Sequence, residues 1–297
     1  MLKPLKGFTI IELMVTIVII GIITSIIYIN YTQESSYQAS LTKAKAFATS
    51  VPISLAANFV SEWKFDGDTD IGSAATADDL KDTWSENDGT LSSSPIIRGG
   101  NDCMSGKCID FDGTDDFISF DSDDTLNMTD ALTISFWVKR LGRVGEDNII
   151  VSKDDANSNR QYVVYFTNNN TIKFTIFGSS ANTAIISSTV FSSLNQWIYV
   201  TATYKYVSDG TSIMDLYVNG EKDSTQITNA VGPINTSSTP LIIGDDGETT
   251  LNKTLRGVID DVRIYDVALT TAQVKKEYFT KSGNLHQKTN KIYLTRK

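Results

Sequence analysis

The distribution of apolar residues divides the chain into three regimes. Residues 7–27 read GFTIIELMVTIVIIGIITSII, an apolar run with one acid, Glu12, near its start. At about 1.5 Å of rise per residue, a helix over this run is long enough to cross a bilayer. From 30 to 60 the apolar positions thin to a stripe: Tyr37, Leu41, Ala44, Ala48, Val51, Leu55 and Phe59. Steps of three or four put these on one face of a helix, with Gln38, Ser40, Thr42, Lys43 and Thr49 on the other. Pro52 removes a helical hydrogen bond and crowds the carbonyl of Ala48, so the pattern predicts a kink or an end there, with 53–60 as a linker if the helix stops. From Ser61 onward helical periodicity disappears. Short runs rich in β-branched and aromatic residues take over, among them ALTISFWVKR, QYVVYFT, QWIYVTATYKY and GVIDDVRIY, separated by Gly, Asn and Asp. Asn219-Gly220 is a strong signal for a two-residue hairpin turn. Strands at this spacing predict an antiparallel sandwich or jelly roll. The expected fold is therefore mostly β, with a long N-terminal α-helix.

Glu12 decides what the first run is for. A carboxylate within a membrane span is costly and marks a functional site by default. A secretory signal or a plain anchor has no use for it. A secretory signal also needs small residues at a cleavage site after its apolar core, whereas this run leads into Tyr28, Asn30 and Tyr31. The residues Lys3, Lys6, Gly7, Phe8, Thr9-Ile10-Ile11 and Glu12 resemble the N-terminal signal of type IV pilins and pseudopilins. That resemblance implies cleavage by a prepilin peptidase between Gly7 and Phe8, N-methylation of Phe8, and pairing of Glu12 with the N-terminal amine of a neighbouring subunit. A buried carboxylate is tolerable when a cation compensates it, and a new terminus at Phe8 supplies one. Lys3 and Lys6 hold the leader on the cytoplasmic side, which places the chain beyond the apolar run outside. The expected organisation is a leader at 1–7, a transmembrane and assembly segment at 8–29, an extracytoplasmic amphipathic helix at 30–60, the β-domain at 61–280 and a basic tail at 281–297.

The chain of 297 residues carries a formal net charge of −9, which makes nucleic acid an unsuitable partner for the exposed domain. Its two cysteines, Cys103 and Cys108, flank Met-Ser-Gly-Lys. An oxidising location favours a disulfide between them, with two free thiols as the alternative. A zinc site would need further ligands, and the one histidine, His286, is far away in sequence.

Several segments resemble, in order, the laminin-G-like, concanavalin-A-like jelly roll: WKFDGD (63–68), GKCIDFDGTDDFISF (106–120), LTISFWVKR (132–140), NQWIYVTATY (195–204), LYVNGE (216–221) and GVIDDVRIYDVALTTAQVKKEY (257–278). The closing ALTTAQVKKEY is expected to be a short helix with Thr270 as its N-cap. Domains of this kind often hold a structural calcium between acids near their first and last strands. By that analogy Asp66 and Asp260 are candidates, and turn-capping by the same acids is the alternative. Asp66, Asp68 and Asp70 do not open an EF-hand, because Ile71 stands where the glycine should and Ala77 where the closing acid should. One group of jelly-roll glucanases carries Glu-x-Asp-x-x-Glu on a strand. The nearest match, Glu221-Lys222-Asp223-Ser224-Thr225-Gln226, lacks the third acid and begins at a hairpin turn, so no enzyme activity is expected. Sugar sites use exposed aromatics with amides and acids, but Trp137 and Trp197 fall inside strand patterns and are expected in the core.

The expectation is a type IV pilin-like subunit, held in the inner membrane as a prepilin and then carried into a surface filament. It would display a lectin-like domain for adhesion to a glycan or a surface protein. Its other partners would be pilin subunits and the prepilin peptidase. The alternatives are a purely structural subunit and a pseudopilin of a secretion machine.

Overall fold

The computed structural model describes residues 58–143, 147–155, 159–178, 181–208, 211–224, 226–246, 253–280 and 282. The chain divides into two compact units, Met1–Ser50 and Val51–Lys297. The described residues all belong to the second. The leader, the apolar run with Gly7, Phe8 and Glu12, most of the amphipathic segment and nearly all of the basic tail lie outside them.

In chain order the strands are β1 (Phe59–Trp63), β2 (Gly89–Ser92), β3 (Ile96–Gly99), β4 (Lys107–Asp112), β5 (Phe117–Phe120), β6 (Ala131–Arg140), β7 (Asn148–Asp154), β8 (Arg160–Phe166), β9 (Ile172–Phe177), β10 (Asn182–Ile186), β11 (Trp197–Lys205), β12 (Ser212–Val218), β13 (Glu221–Lys222), β14 (Ile227–Ala230), β15 (Leu241–Ile243) and β16 (Arg256–Tyr265). They form two antiparallel sheets. The larger runs β13-β12-β11-β6-β16-β4-β3, with β1 also on β16 and β14 also on β12. The smaller runs β10-β9-β8-β7-β15-β5-β2. Phe59, which the apolar stripe placed on a helix, instead opens β1, where it pairs with Tyr265, and Val60 follows it in the strand. Strand pairing along β16 overrides the helical spacing there.

Period-two alternation explains the layering. In β6, Leu132, Ile134, Phe136 and Val138 enter the core between the sheets with Ile118, Phe120, Ile150, Phe166, Phe174 and Ile243. The intervening Thr133, Ser135 and Trp137 are also buried, outside that core. A helix, α1, over 271–280 and the segment before it cover them. Leu269 and Val274 pack on Tyr217 and Tyr265. The Tyr278 ring lies 5.7 Å from Trp137 and 6.0 Å from Tyr199. Trp137 is therefore buried as expected, but beneath a helix rather than between sheets. Thr270 caps α1 as the sequence implied. Its Oγ1 accepts from Gln273 N at 3.4 Å, while Gln273 Oε1 accepts from Thr270 N at 2.8 Å, a reciprocal capping box.

Candidate functional site

Among the described residues, a groove of about 370 Å³ opens between the segment that crosses from β10 to β11 and the β12–β13 hairpin. Asn219 makes the hairpin possible. It sits at φ 50°, a left-handed position that asparagine tolerates well. Its Oδ1 accepts from Tyr199 N at 2.9 Å and its N–H donates to Tyr199 O at 2.8 Å, which fixes the hairpin tip against β11. Opposite, Thr189 donates to the Asp223 carboxylate through its N–H at 3.1 Å and through its hydroxyl. That pair straps the crossover to the hairpin. Phe191 and Ile198 are buried beneath, and Trp197 is half-buried in the lining. Gln196, Ser192 and Ser193 line the groove and are exposed, while Val190 and Leu194 on the same crossover are 57% and 45% exposed.

The charges here are already engaged. Lys222 Nζ meets Asp215 at 2.8 Å, and Lys275 Nζ meets Glu221 at 2.8 Å. With Asp223 held by Thr189, both acids of the glucanase-like stretch are engaged. Glu221 and Lys222 do form a two-residue strand rather than a bare turn. The groove is lined by half-buried Trp197, exposed Val190, amides and hydroxyls. Recognition sites are commonly built this way, apolar surface with a few placed polar groups. Trp197 is the point at which the strand pattern misled: it begins β11, packs on Cys103, Cys108 and Val258 with Lys139 Nζ 5.0 Å from its ring centroid, and is half-buried in the groove lining rather than in the core. Only the run of hydroxyls and amides in STVFSSLNQ, too long and polar for a tight connection, signalled a functional loop.

A second cluster surrounds the cysteines. Cys103 and Cys108 are disulfide-bonded, with Cα atoms 5.5 Å apart. Asp260 Oδ2 accepts from Met104 N at 2.9 Å and Ser105 N at 3.0 Å, and Asp66 Oδ1 accepts from Lys107 N at 2.6 Å. The first and last strands thus reach the same loop, as the calcium analogy expects of these two acids. What they hold, however, is the loop's own N–H groups. Burial, reinforced by the charges of Asp261 and Asp66, pushes the Asp260 carboxyl well above the usual range. Its Oδ1 is buried without a donor. The neighbouring main-chain carbonyls of Gly67 and Thr69 both accept from Lys107 Nζ, the latter at 2.8 Å. Calcium needs six to eight oxygens; here Asp66 and Asp260 each spend a carboxylate oxygen on the loop's N–H groups. Among the described residues, the acids that do converge are Asp112, Asp115 and Asp116. There Asp116 accepts from Ser94 N and Asp112 N, and Asp112 from Thr114 N, which makes them the ties of a turn.

The chain belongs to the concanavalin A-like lectin/glucanase superfamily, whose family model matches residues 112–275. The prokaryotic N-terminal methylation motif matches residues 3–28. Among solved structures, the chain is similar to the binding domain of Paraclostridial Mosquitocidal Protein 1, at 21% identity over 75% of this chain and 52% of that one, with a TM-score of 0.54. It is similar to the receptor binding domain of botulinum neurotoxin mosaic serotype C/D, at 15% identity over 76% and 51%, with a TM-score of 0.53. It also resembles domain 4 of AbnA, an extracellular arabinanase from Geobacillus stearothermophilus solved with arabinotriose, at 18% identity over 73% and 97%, with a TM-score of 0.51. The chain spans about half the length of the two toxin domains it matches. At these identities the likeness is one of fold. No curated protein matches the chain. A pilin-type methylation motif and a lectin-like jelly roll in one chain describe a binding domain displayed at a surface.

Proposed function

We propose that this protein is a type IV pilin-like subunit that carries its jelly roll into a surface filament and binds a glycan or surface protein there. The observation that carries this reading is the union, in one chain, of the methylation motif at 3–28 and the lectin-like domain at 112–275. Prepilin peptidase cuts between Gly7 and Phe8, and the Phe8 amine is methylated. The new amine then meets Glu12 of a neighbour as the helix leaves the inner membrane, where a low dielectric strengthens the pairing. The segment 8–29 and the amphipathic stretch that follows it, ending before β1, form the assembly helix. The domain binds rather than cleaves, through the groove lined by Trp197, Gln196 and Asn219.

Sheared filaments from cells carrying wild-type or Glu12→Leu protein test the assembly half. Cleavage and membrane insertion survive the substitution, while the ratio of this chain in filaments to membrane falls sharply. An unchanged ratio removes the pilin mechanism. Wild-type filaments and filaments carrying Gln196→Ala, on a glycan array, test the adhesive half. Wild-type signal lost with Gln196→Ala supports the groove, and no glycan signal at all points to a protein ligand or a purely structural subunit.

A further inference from the structure

The groove is supported from behind. Its hairpin wall, β12–β13, turns at Asn219-Gly220, and Gly220 stands at φ 79°. A Cβ placed on Gly220 would lie 3.0 Å from Tyr278 Cβ and Cδ1, so the tyrosine packs directly on the turn. Gly220 sits between two residues that line the groove, Asn219 and Glu221. Lys275, one helical turn before Tyr278, meets Glu221 at 2.8 Å. Trp197, also in the lining, packs against the buried cluster of Met104, Trp137 and Tyr199, and Tyr278 packs against the same cluster. Tyr199 in turn holds Asn219 through two hydrogen bonds. One side chain of α1 therefore stands behind the hairpin tip and behind the support of Trp197. Other contacts of α1 touch no residue of the lining: Thr271 Oγ1 with Tyr217 OH at 3.1 Å, Val274 on Tyr217 and Tyr265, and Glu277 with Arg263. The Lys275 pair involves an exposed carboxylate and contributes little. Tyr278 is the stronger link.

We infer that α1 is the backing of this groove and Tyr278 its positioning residue. Docking of the helix holds the hairpin tip and the support of Trp197 in the arrangement that receives a ligand. The inference rests on the reading of the groove as a binding site. Such a coupling is reciprocal. A ligand that favours the ordered groove also favours the docked helix, and a partner that draws α1 off the sheet weakens the groove. The site is thus governed from α1, although no residue of that helix lines it.

The test follows hydrogen exchange by mass spectrometry on the full-length chain in detergent micelles. Wild type is compared with Tyr278→Ala, Tyr278→Phe and Val163→Ala. Val163 sits in a separate cluster with Ile149 and Phe177 on the smaller sheet, and its variant controls for lost stability alone. Tyr278→Ala exchanges at least about fivefold faster over residues 216–223, the lower end of typical coupling between sites, while β7–β9 stay as protected as in wild type. Tyr278→Phe, with the ring restored, matches wild type. Exchange over 216–223 that Tyr278→Ala leaves unchanged, or raises no more than Val163→Ala does, overturns the inference. On a glycan array, each glycan that binds wild type binds Tyr278→Ala at least about fivefold more weakly, and Tyr278→Phe equally well. Undiminished binding by Tyr278→Ala overturns the inference too. An array on which wild type binds nothing removes the glycan reading of the groove instead, and the exchange comparison still decides the coupling. Should Tyr278→Ala fail to fold, Tyr278→Leu, which keeps apolar bulk without the ring, carries the same comparison.

Discussion

Replacing Glu62 by glutamine should expose how the domain's edge is held. Glu62 lies in β1, and its Oε1 receives Arg263 through Nη2 at 2.6 Å and Nε at 2.9 Å. Its Oε2 receives Thr83 Oγ1 at 2.7 Å and Lys64 at 3.0 Å. Arg263 turns its remaining Nη1 to Glu277 on α1, so one guanidinium joins β1, β16 and the helix. Burial alone would raise the Glu62 carboxyl, but Arg263, then Thr83 and Lys64, outweigh it and bring it down to about 2 from 4.5. A difference of about 2.5 units corresponds to about 3 kcal/mol of stability. Because the folded value is the lower one, this contribution is complete above pH 4.5 and is lost as pH falls towards 2. Glu62→Gln should therefore cost about 3 kcal/mol at pH 7, a Tm drop of roughly 6–12 °C for a domain of this size. The two proteins should converge in stability near pH 2. Thermal unfolding of the full-length chain in micelles, followed by tryptophan fluorescence from pH 2 to 8, measures this. Parallel curves, with a constant offset down to pH 2, would refute the assignment of the stability to the charge on Glu62.

Two further outcomes are expected. Lys153 is fully buried and donates to Thr239 O, and burial lowers its ammonium to about 8. Holding it charged below pH 8 costs about 3 kcal/mol, so Lys153→Met should be the more stable protein at pH 7, by about 1–2 kcal/mol once the orphaned Thr239 carbonyl is counted. Between pH 8 and 10.5 the native lysine sheds its proton before the unfolded one does, wild type gains, and the advantage should shrink; an advantage that grows with pH would contradict this. Changing Cys103 and Cys108 together to serine should cost about 2 kcal/mol, since the closed loop is short. Asp66 and Asp260 still hold that loop, so urea unfolding should remain one cooperative transition, and loss of the folded baseline would count against it.

Much of the sandwich was legible in the sequence because its signals are local. Alternation in ALTISFWVKR, the Asn219-Gly220 turn and the Thr270-to-Gln273 cap each act within a few residues. The disulfide was legible for the same reason. Phe59 was misplaced because a strand's partner, here Tyr265, lies some two hundred residues away and leaves no trace in spacing. The groove was hidden for a related reason. Thr189 and Asp223 meet only because the crossover and the hairpin end at the same edge, and a half-buried Trp197 reads like a buried one. Lys107 looked like an ordinary strand lysine until the carbonyls around it could be seen.

The strand order has a consequence for how this chain reaches its folded state. In the larger sheet β16 separates β4 and β3 from β6, and it is the strand that holds β1. In the smaller sheet β15 separates β5 and β2 from β7. The last two strands therefore act as wedges, each inserted between an early group and a middle group that touch no other way within the sheet. A polypeptide emerging from its N-terminus cannot zip either layer shut until residues 241–265 are available. Closure of this kind depends on distant pairings and is slow. A chain delivered from its N-terminus thus stays threadable for nearly its whole length, and locks only once residues 241–265 have arrived.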